Sequence, residues 1–475
     1  MTIRRADLRF ALPAPVRRAT VLGLPEWREA LTLAGIAVVD GSSAADLAVA
    51  PTSRAGEAAR SGAPMIVLEG RTATRLRLDG FRIRRYLPLP GLSDPDLVLP
   101  LERDTPADYA LLRWRPAEAR LKRARNRAVA ALVRAGAVAP LRPLGFAAAR
   151  EDGPPFLISA AAALGVPADA RWFMTLGQGD VLTRAAFHLF PRRSSDPAWV
   201  LKFARVPGHD EPFMRDEQGL RLAQEAGDVV ARHAPHLVGR LEAHGLPLSV
   251  ETAAIGERLS TLLRRTEATE QIERVAGWLV EVGRSTAGPS AELGPERRRL
   301  AEEVLPSWPG VPADLVARLP PLPGVLQHND VGSWNIVVGE DGFVVLDWES
   351  ARRPGLPLWD LLYFLVDALP LVEGARTPAE RADRALALLR GASVWSPMLF
   401  DWLRKAAAAA AMPPAAIGPV ATLCWLHHGL SHVTRGRAAT GIEPGASVSI
   451  PPVERIAAGW LADPALGPDW SPGRD

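Results

Sequence analysis

Two short runs separated by a tight turn constrain this chain more than any other feature. They are VLQHNDVGSWNIVV at 325–338 and GFVVLDWE at 342–349. The first holds His328, Asp330 and Asn335 in an H-x-D-x-x-x-x-N pattern on a loop that runs into a strand. Glu340-Asp341-Gly342 is the turn, and the second strand ends in Asp347. A hairpin brings its two outer ends side by side, so this spacing predicts that Asn335 and Asp347 lie close together, with Asp330 on the loop that feeds the hairpin.

Two carboxylates and an amide so arranged suit phosphoryl transfer, which asks a protein mainly for positioning and charge neutralisation. Asp330 can orient a hydroxyl group and take its proton. Asn335 can turn back across the loop to a metal, and Asp347 can hold Mg²⁺ against nucleotide phosphates. These residues resemble the catalytic and metal-binding loops of the aminoglycoside phosphotransferase and choline kinase-like family, relatives of the protein kinases. The resemblance implies ATP as phosphate donor, Asp330 as catalytic base, His328 as the residue that orients the loop, and Asn335 and Asp347 as Mg²⁺ ligands. Asp347-Trp348-Glu349 stands where protein kinases have Asp-Phe-Gly. Asn329 and Trp334 depart from the family's usual glycine and smaller residue, which bears on the acceptor more than on the reaction.

Upstream, TLGQGDVLTRAAFHLF at 175–190 places Gly177 and Gly179 at a turn whose backbone N–H groups can approach phosphates. AWVLKFA at 198–204 is a strand with one inward lysine. Lys122, Lys202 and Lys405 are the only lysines beside abundant arginine, and a compact ammonium at Lys202 suits the α- and β-phosphates. Glu217, in a helical stretch fifteen residues later, is the expected carboxylate partner of Lys202, with Glu225 the alternative. LSVETAAIGERL at 248–259 resembles the family's inter-lobe hinge, where backbone groups around Glu251 and Ala253 would hold the adenine. PGLPLWDLLY at 354–363 resembles the segment in which Asp360 braces the catalytic loop.

The first hundred residues differ in character. ATVLGL, IAVVDG, ADLAVAP and APMIVLEG read as buried strands, and PEWREALTLAG and TSRAGEAARSG as the helices between them. That alternation predicts a Rossmann-like α/β unit with a largely parallel sheet. It lacks the G-x-G-x-x-G turn of a dinucleotide site. Residues 86–100 read as extended and 106–135 as an arginine-rich helix, and Gly153-Pro154-Pro155 marks a boundary. The expected architecture is an α/β N-terminal domain followed by a protein-kinase-like α+β bilobal domain. Its divisions are an accessory domain at 1–100, a helical connector at 101–165, an N-lobe at 166–252 and a mainly helical C-lobe at 253–475, with ATP in the cleft.

Composition narrows the partners. Residues 1–150 carry 25 basic and 14 acidic side chains, a net +11, which leaves −8 on the remainder. No basic run is interleaved with aromatics as a nucleic-acid groove needs. The uncharged-rich stretch 406–426 is broken by Pro413-Pro414 and reads as helix–turn–helix, so no membrane span is expected. The single cysteine, Cys424, fits a cytoplasmic protein and is expected as a buried hydrophobe. His428 and His432 have a zinc-ligand spacing but lack further partners, so core or acceptor-pocket roles are expected for them and His427. The expected partners are therefore ATP and a small hydroxylated acceptor, such as a sugar or an aminoglycoside-like molecule, with oligomeric state open. The alternative is a nucleotide-binding pseudokinase or scaffold whose basic N-terminal region docks an acidic partner.

Overall fold

The computed structural model describes residues 3–40, 45–70, 78–114, 120–137, 141, 145–177, 183–265, 269–440 and 452–473. The chain forms two compact units. Met1–Phe213 with Leu237–Ile255 make the first, and Met214–His236 with Gly256–Asp475 the second.

The first unit is organised by a single twelve-stranded sheet. In chain order its strands are β1 (Arg18–Val21), β2 (Ala37–Val38), β3 (Leu47–Pro51), β4 (Met65–Glu69), β5 (Arg82–Leu89), β6 (Leu97–Pro100), β7 (Gly145–Ala149), β8 (Arg171–Leu176), β9 (Ala185–Phe190), β10 (Trp199–Phe203), β11 (Leu237–Ala243) and β12 (Leu246–Thr252). Their spatial order is β11-β12-β10-β9-β8-β6-β5-β7-β4-β3-β1-β2. β1 to β4 pair in parallel, through β1 with β2, β1 with β3 and β3 with β4. The apolar runs of β3 and β4 are buried almost throughout, as strands covered on both faces must be. Helix α1 (Pro25–Leu33) starts with proline in its first turn and buries Trp27, Ala30 and Leu31 on one stripe. The shorter α2 (Ala55–Arg60) makes the next crossover.

The remaining neighbours run antiparallel, and the sheet continues across the boundary drawn between residues 100 and 166. β6 pairs with β8 through Leu97–Thr175 and Val98–Met174. One buried cluster takes in Leu47 and Val67 together with Phe187, Leu201 and Val250. Strands from both sides of that boundary thus present one apolar face to a common core. The intervening arginine-rich stretch forms α3 (Arg120–Arg134), which buries only Ala130 and Val133, and α4 (Phe156–Ala161) follows.

The second unit is mainly helical. It takes most of α5 (Glu211–Glu225), then α6 (Asp228–Ala231), α7 (Leu259–Leu263), α8 (Thr269–Ser285), α9 (Gly294–Arg299), α10 (Trp359–Val372), α11 (Pro378–Leu389), α12 (Ser396–Ala409), α13 (Ile417–Thr440) and α14 (Pro452–Ala462). Helix α10 is buried on nearly every side, which its run of Leu, Phe, Tyr and Trp dictates. α12 and α13 meet at 117° across Pro413-Pro414, and no single described helix is long and apolar enough to cross a membrane. Small sheets punctuate the helices: β13 (Glu257–Arg258) with β15 (Ile336–Gly339) and β16 (Gly342–Val345), and β14 (Val325–Gln327) with β17 (Arg352–Gly355).

Candidate active site

The loop between β14 and β15 carries His328, Asp330 and Asn335, and the hairpin β15–β16 continues it. Ile336 is in register with Val345, so Asn335 and Leu346 are the next residues out, and Leu346 N–H donates to the Asn335 carbonyl at 2.7 Å. Asp347 follows directly. Strand pairing therefore brings the backbones at Asn335 and Asp347 together, as the spacing predicts.

Each member of the loop is oriented by a specific hydrogen bond. Asn335 Nδ2 donates to both the carbonyl and Oδ2 of Asp330, each at 2.9 Å. The amide thus fixes the Asp330 carboxylate and leaves its own Oδ1 as the group able to ligate a cation. His328 Nε2 donates to the Leu346 carbonyl at 3.0 Å, and Nδ1 accepts from Asp330 N–H at 3.2 Å. Burial pushes its pKa down to about 4, so the imidazole is neutral and spans the two halves of the site.

Asp360, in the first turn of α10, receives the backbone N–H groups of His328 at 2.6 Å and Asn329 at 2.9 Å on separate oxygens. Burial raises its pKa to about 6, against the two N–H donors that favour the charged form. Asn329 can accept this brace because it adopts φ 64°, a left-handed conformation that asparagine tolerates better than most residues. A second carboxylate on the same helix was not foreseen. Asp367 accepts Ser333 N–H at 2.8 Å and is paired with Arg381. The signal was present, because positions 360 and 367 are two helical turns apart on one face of α10.

Asp347 adopts φ 65° and leads into a 3-10 turn at Trp348–Ser350. Trp348 is buried and anchored by its indole N–H to the Val345 carbonyl at 2.8 Å, with its ring edge-on to His328. Gly219 of α5 packs against that turn so closely that a Cβ there would lie 1.9 Å from the Trp348 carbonyl oxygen. Arg258 lies within electrostatic reach of Asp347, whose charge opposes the lowering of the Arg258 pKa by burial.

Among the described residues, no group of three His, Cys, Asp or Glu side chains could hold a metal ion. A cation here would take one carboxylate, one amide oxygen and otherwise phosphate and water oxygens. That donor set suits Mg²⁺ and no softer metal. The His432 side chain lies outside the described residues. His427 and His428 are buried, stacked on Trp359 and Tyr363 respectively.

Asp330 also lines a cavity of about 740 Å³ within the second unit, together with Glu303, Arg353 and both buried histidines. Glu296 on its wall is held by Arg299 through two bonds of 2.7 and 2.8 Å and by Arg352 at 3.1 Å. Those contacts saturate the Glu296 carboxylate and leave guanidinium N–H groups on the wall.

In the first unit, Lys202 Nζ lies 2.9 Å from Glu251 Oε2. Lys202 is in register with Ser249, so Glu251 is its diagonal neighbour on the same face of β12. Glu217, the expected carboxylate partner of Lys202, bonds Arg221 at 2.6 Å along its own helix in the second unit. Glu251, expected to act through its backbone, also pairs with Lys202 through its side chain. Within the stretch expected to hold adenine through its backbone, the Ala253 N–H donates to the Ala198 carbonyl at 3.0 Å. Gly177 ends β8 where no side chain fits, since a Cβ would lie 2.6 Å from the Arg184 carbonyl oxygen. Gly179 lies outside the described residues.

Residues 190–400 match the sequence model of the phosphotransferase enzyme family. Those residues are similar to that family, and the loops just described fall inside the matched segment. Solved structures show a distant likeness. The aminoglycoside phosphotransferase APH(3'')-Id from Streptomyces rimosus is 18% identical over 54% of this chain and 91% of its own, with a TM-score of 0.33. Aminoglycoside-3'-phosphotransferase of type VIII is 16% identical over 52% of this chain and 98% of its own, with a TM-score of 0.30. The bifunctional kinase-methyltransferase WbdD is 13% identical over 86% and 87%, with a TM-score of 0.27. No curated protein sequence matches the chain.

Proposed function

We propose that this phosphotransferase moves the γ-phosphate of ATP to an alcohol group of a small hydroxylated acceptor such as a sugar or an aminoglycoside-like molecule. The observation that carries the reading is Asp330, its carboxylate fixed by the Asn335 amide and open to a 740 Å³ cavity. Asp330 accepts the hydroxyl proton while the acceptor oxygen forms its bond to the γ-phosphorus. The bond from that phosphorus to the β–γ bridging oxygen breaks, and ADP leaves with the electron pair. Asn335 and Asp347 would hold Mg²⁺, which when bound neutralises charge on the phosphate oxygens. Lys202, steadied by Glu251, supplies a further cation for the α- and β-phosphates. The neutral His328 and ionised Asp360 keep the loop in place and take no proton from substrate.

A screen of hydroxylated acceptors with ATP and Mg²⁺, read by mass spectrometry, tests this. The expected result is a gain of about 80 Da, the mass of one phosphoryl group, on at least one acceptor, lost in Asp330→Ala with the fold intact. Transfer that survives in Asp330→Ala overturns the assignment. A scaffold without catalysis would bind nucleotide and turn over none of the acceptors.

A further inference from the structure

The N-terminal 3-10 helix, Arg4–Ala11, reaches both strands that the nucleotide reading relies on. Arg4 Nε donates to the Gly177 carbonyl at 2.7 Å, and its Nη1 lies 3.1 Å from Asp94. One turn on, Asp7 is wholly buried and pairs with Arg205, whose Nε donates to Asp7 Oδ2 at 2.8 Å. Arg205 stands three residues after Lys202. Arg9 closes the group: it donates to Asp7 Oδ1 at 3.2 Å and to the Ala6 carbonyl at 3.0 Å, and it also bonds the Arg205 carbonyl. Phe10 then packs edge-on against Phe203, the residue next to Lys202, with ring centroids 4.7 Å apart.

Two guanidiniums share one carboxylate in this buried cluster. Such a cluster is a poor source of stability, since apolar side chains of similar volume would do as well or better without the desolvation cost. It does supply direction. Charge-assisted bonds fix where the end of β10 and the Gly177 carbonyl lie, which hydrophobic contact alone does not. Burial is felt in the arginine itself, since the Arg9 pKa is lowered to about 10.

We propose that this helix is a positioning element of the nucleotide site. Arg4 fixes the Gly177 carbonyl just after β8, and Asp7, through Arg205, sets the end of the strand that carries Lys202. The inference rests on the ATP-dependent reading above and gives the first residues of the chain a role in it.

Binding of Mg·ADP measured by calorimetry tests the proposal without needing the acceptor. Arg4→Ala is expected to weaken ADP roughly three- to tenfold, the usual range for a residue acting through a network. Arg4→Lys, which can still donate to Gly177, is expected to restore most of the affinity. Arg5→Ala is the control, because Arg5 sits in the same helix but pairs with Glu26 and Glu69. It is expected to leave ADP affinity unchanged while lowering the melting temperature at least as much as Arg4→Ala. Unchanged affinity in Arg4→Ala, or an equal loss in Arg5→Ala, overturns the proposal while the phosphotransfer reading stands. A wild-type protein that binds no Mg·ADP overturns both. Arg205→Met serves as a second variant, since a guanidinium and not merely volume is required there, and it too should weaken ADP.

Discussion

Lys202 and Glu251 face each other across neighbouring strands of one sheet, 2.9 Å apart, with side chains 14% and 6% exposed. At that degree of burial, removing one member takes a charge partner away in a poorly solvated place. Glu251→Gln is therefore expected to cost about 1–3 kcal/mol in a denaturant titration. It should also weaken Mg·ADP, because the ammonium loses the group that aims it. If Glu217→Gln has that effect and Glu251→Gln does not, the lysine takes its working partner from α5.

Acidification should separate activity from stability. His328 has a folded pKa of about 4 against an ordinary 6.5, so its contribution to stability is complete above 6.5 and is lost as pH falls through 4. Asp360 has a folded pKa of about 6 against 3.8, so its contribution is complete below 3.8 and is lost as pH rises through 6. The two run in opposite directions over nearly the same window, so between pH 4 and 6 they largely cancel in unfolding free energy. Turnover does not share that cancellation. Protonated Asp360 accepts the two backbone N–H groups more weakly, so kcat is expected to fall with a midpoint near pH 6 while the denaturation midpoint changes little. A flat rate profile from pH 7 to 5 would contradict this role for Asp360.

Gly219→Ala sets two effects against each other. Alanine inside a helix is ordinarily favoured over glycine by about 1 kcal/mol. Here the added methyl would meet the Trp348 carbonyl oxygen at 1.9 Å. The clash is expected to win, giving a net loss of about 1–3 kcal/mol and a slower enzyme, because the displaced backbone adjoins Asp347. Stabilisation measured by thermal melting would show that the turn yields easily.

Metal dependence provides a fourth check. Activity should vanish with a chelator and return with Mg²⁺. Asp347→Asn is the informative variant, since asparagine tolerates the left-handed backbone at this position and should keep the fold. It is expected to lower kcat by about a hundredfold or more and to raise the Mg²⁺ requirement. Unimpaired transfer by this variant would remove Asp347 from the site.

What could be read in the sequence was local. Asp330, Asn335 and Asp347 lie within eighteen consecutive residues, and a hairpin register alone brings the last two together. The four parallel strands of the first seventy residues were equally legible, because each is a short apolar run bounded by Gly or Pro. Contacts between distant segments were not. Glu251 reaches Lys202 through antiparallel pairing of β10 with β12, and no local spacing announces that contact. Asp7 and Arg205 are 198 residues apart, and nothing in either neighbourhood announces the other. The twelve-strand continuity was hidden for the same reason: Val98 and Met174 each belong to an ordinary apolar strand, and only their pairing joins the sheet.

That pairing limits how the protein can be cut. A fragment trimmed to start just ahead of Arg171 would strip β6 from β8, baring a row of unbonded N–H and C=O groups beside Trp172 and Met174. Raw strands of that kind recruit copies of themselves, so such a truncation is expected to aggregate on expression. The residues that match the phosphotransferase family model are therefore not expected to fold when excised alone, and work on them calls for the chain from its first helix onward.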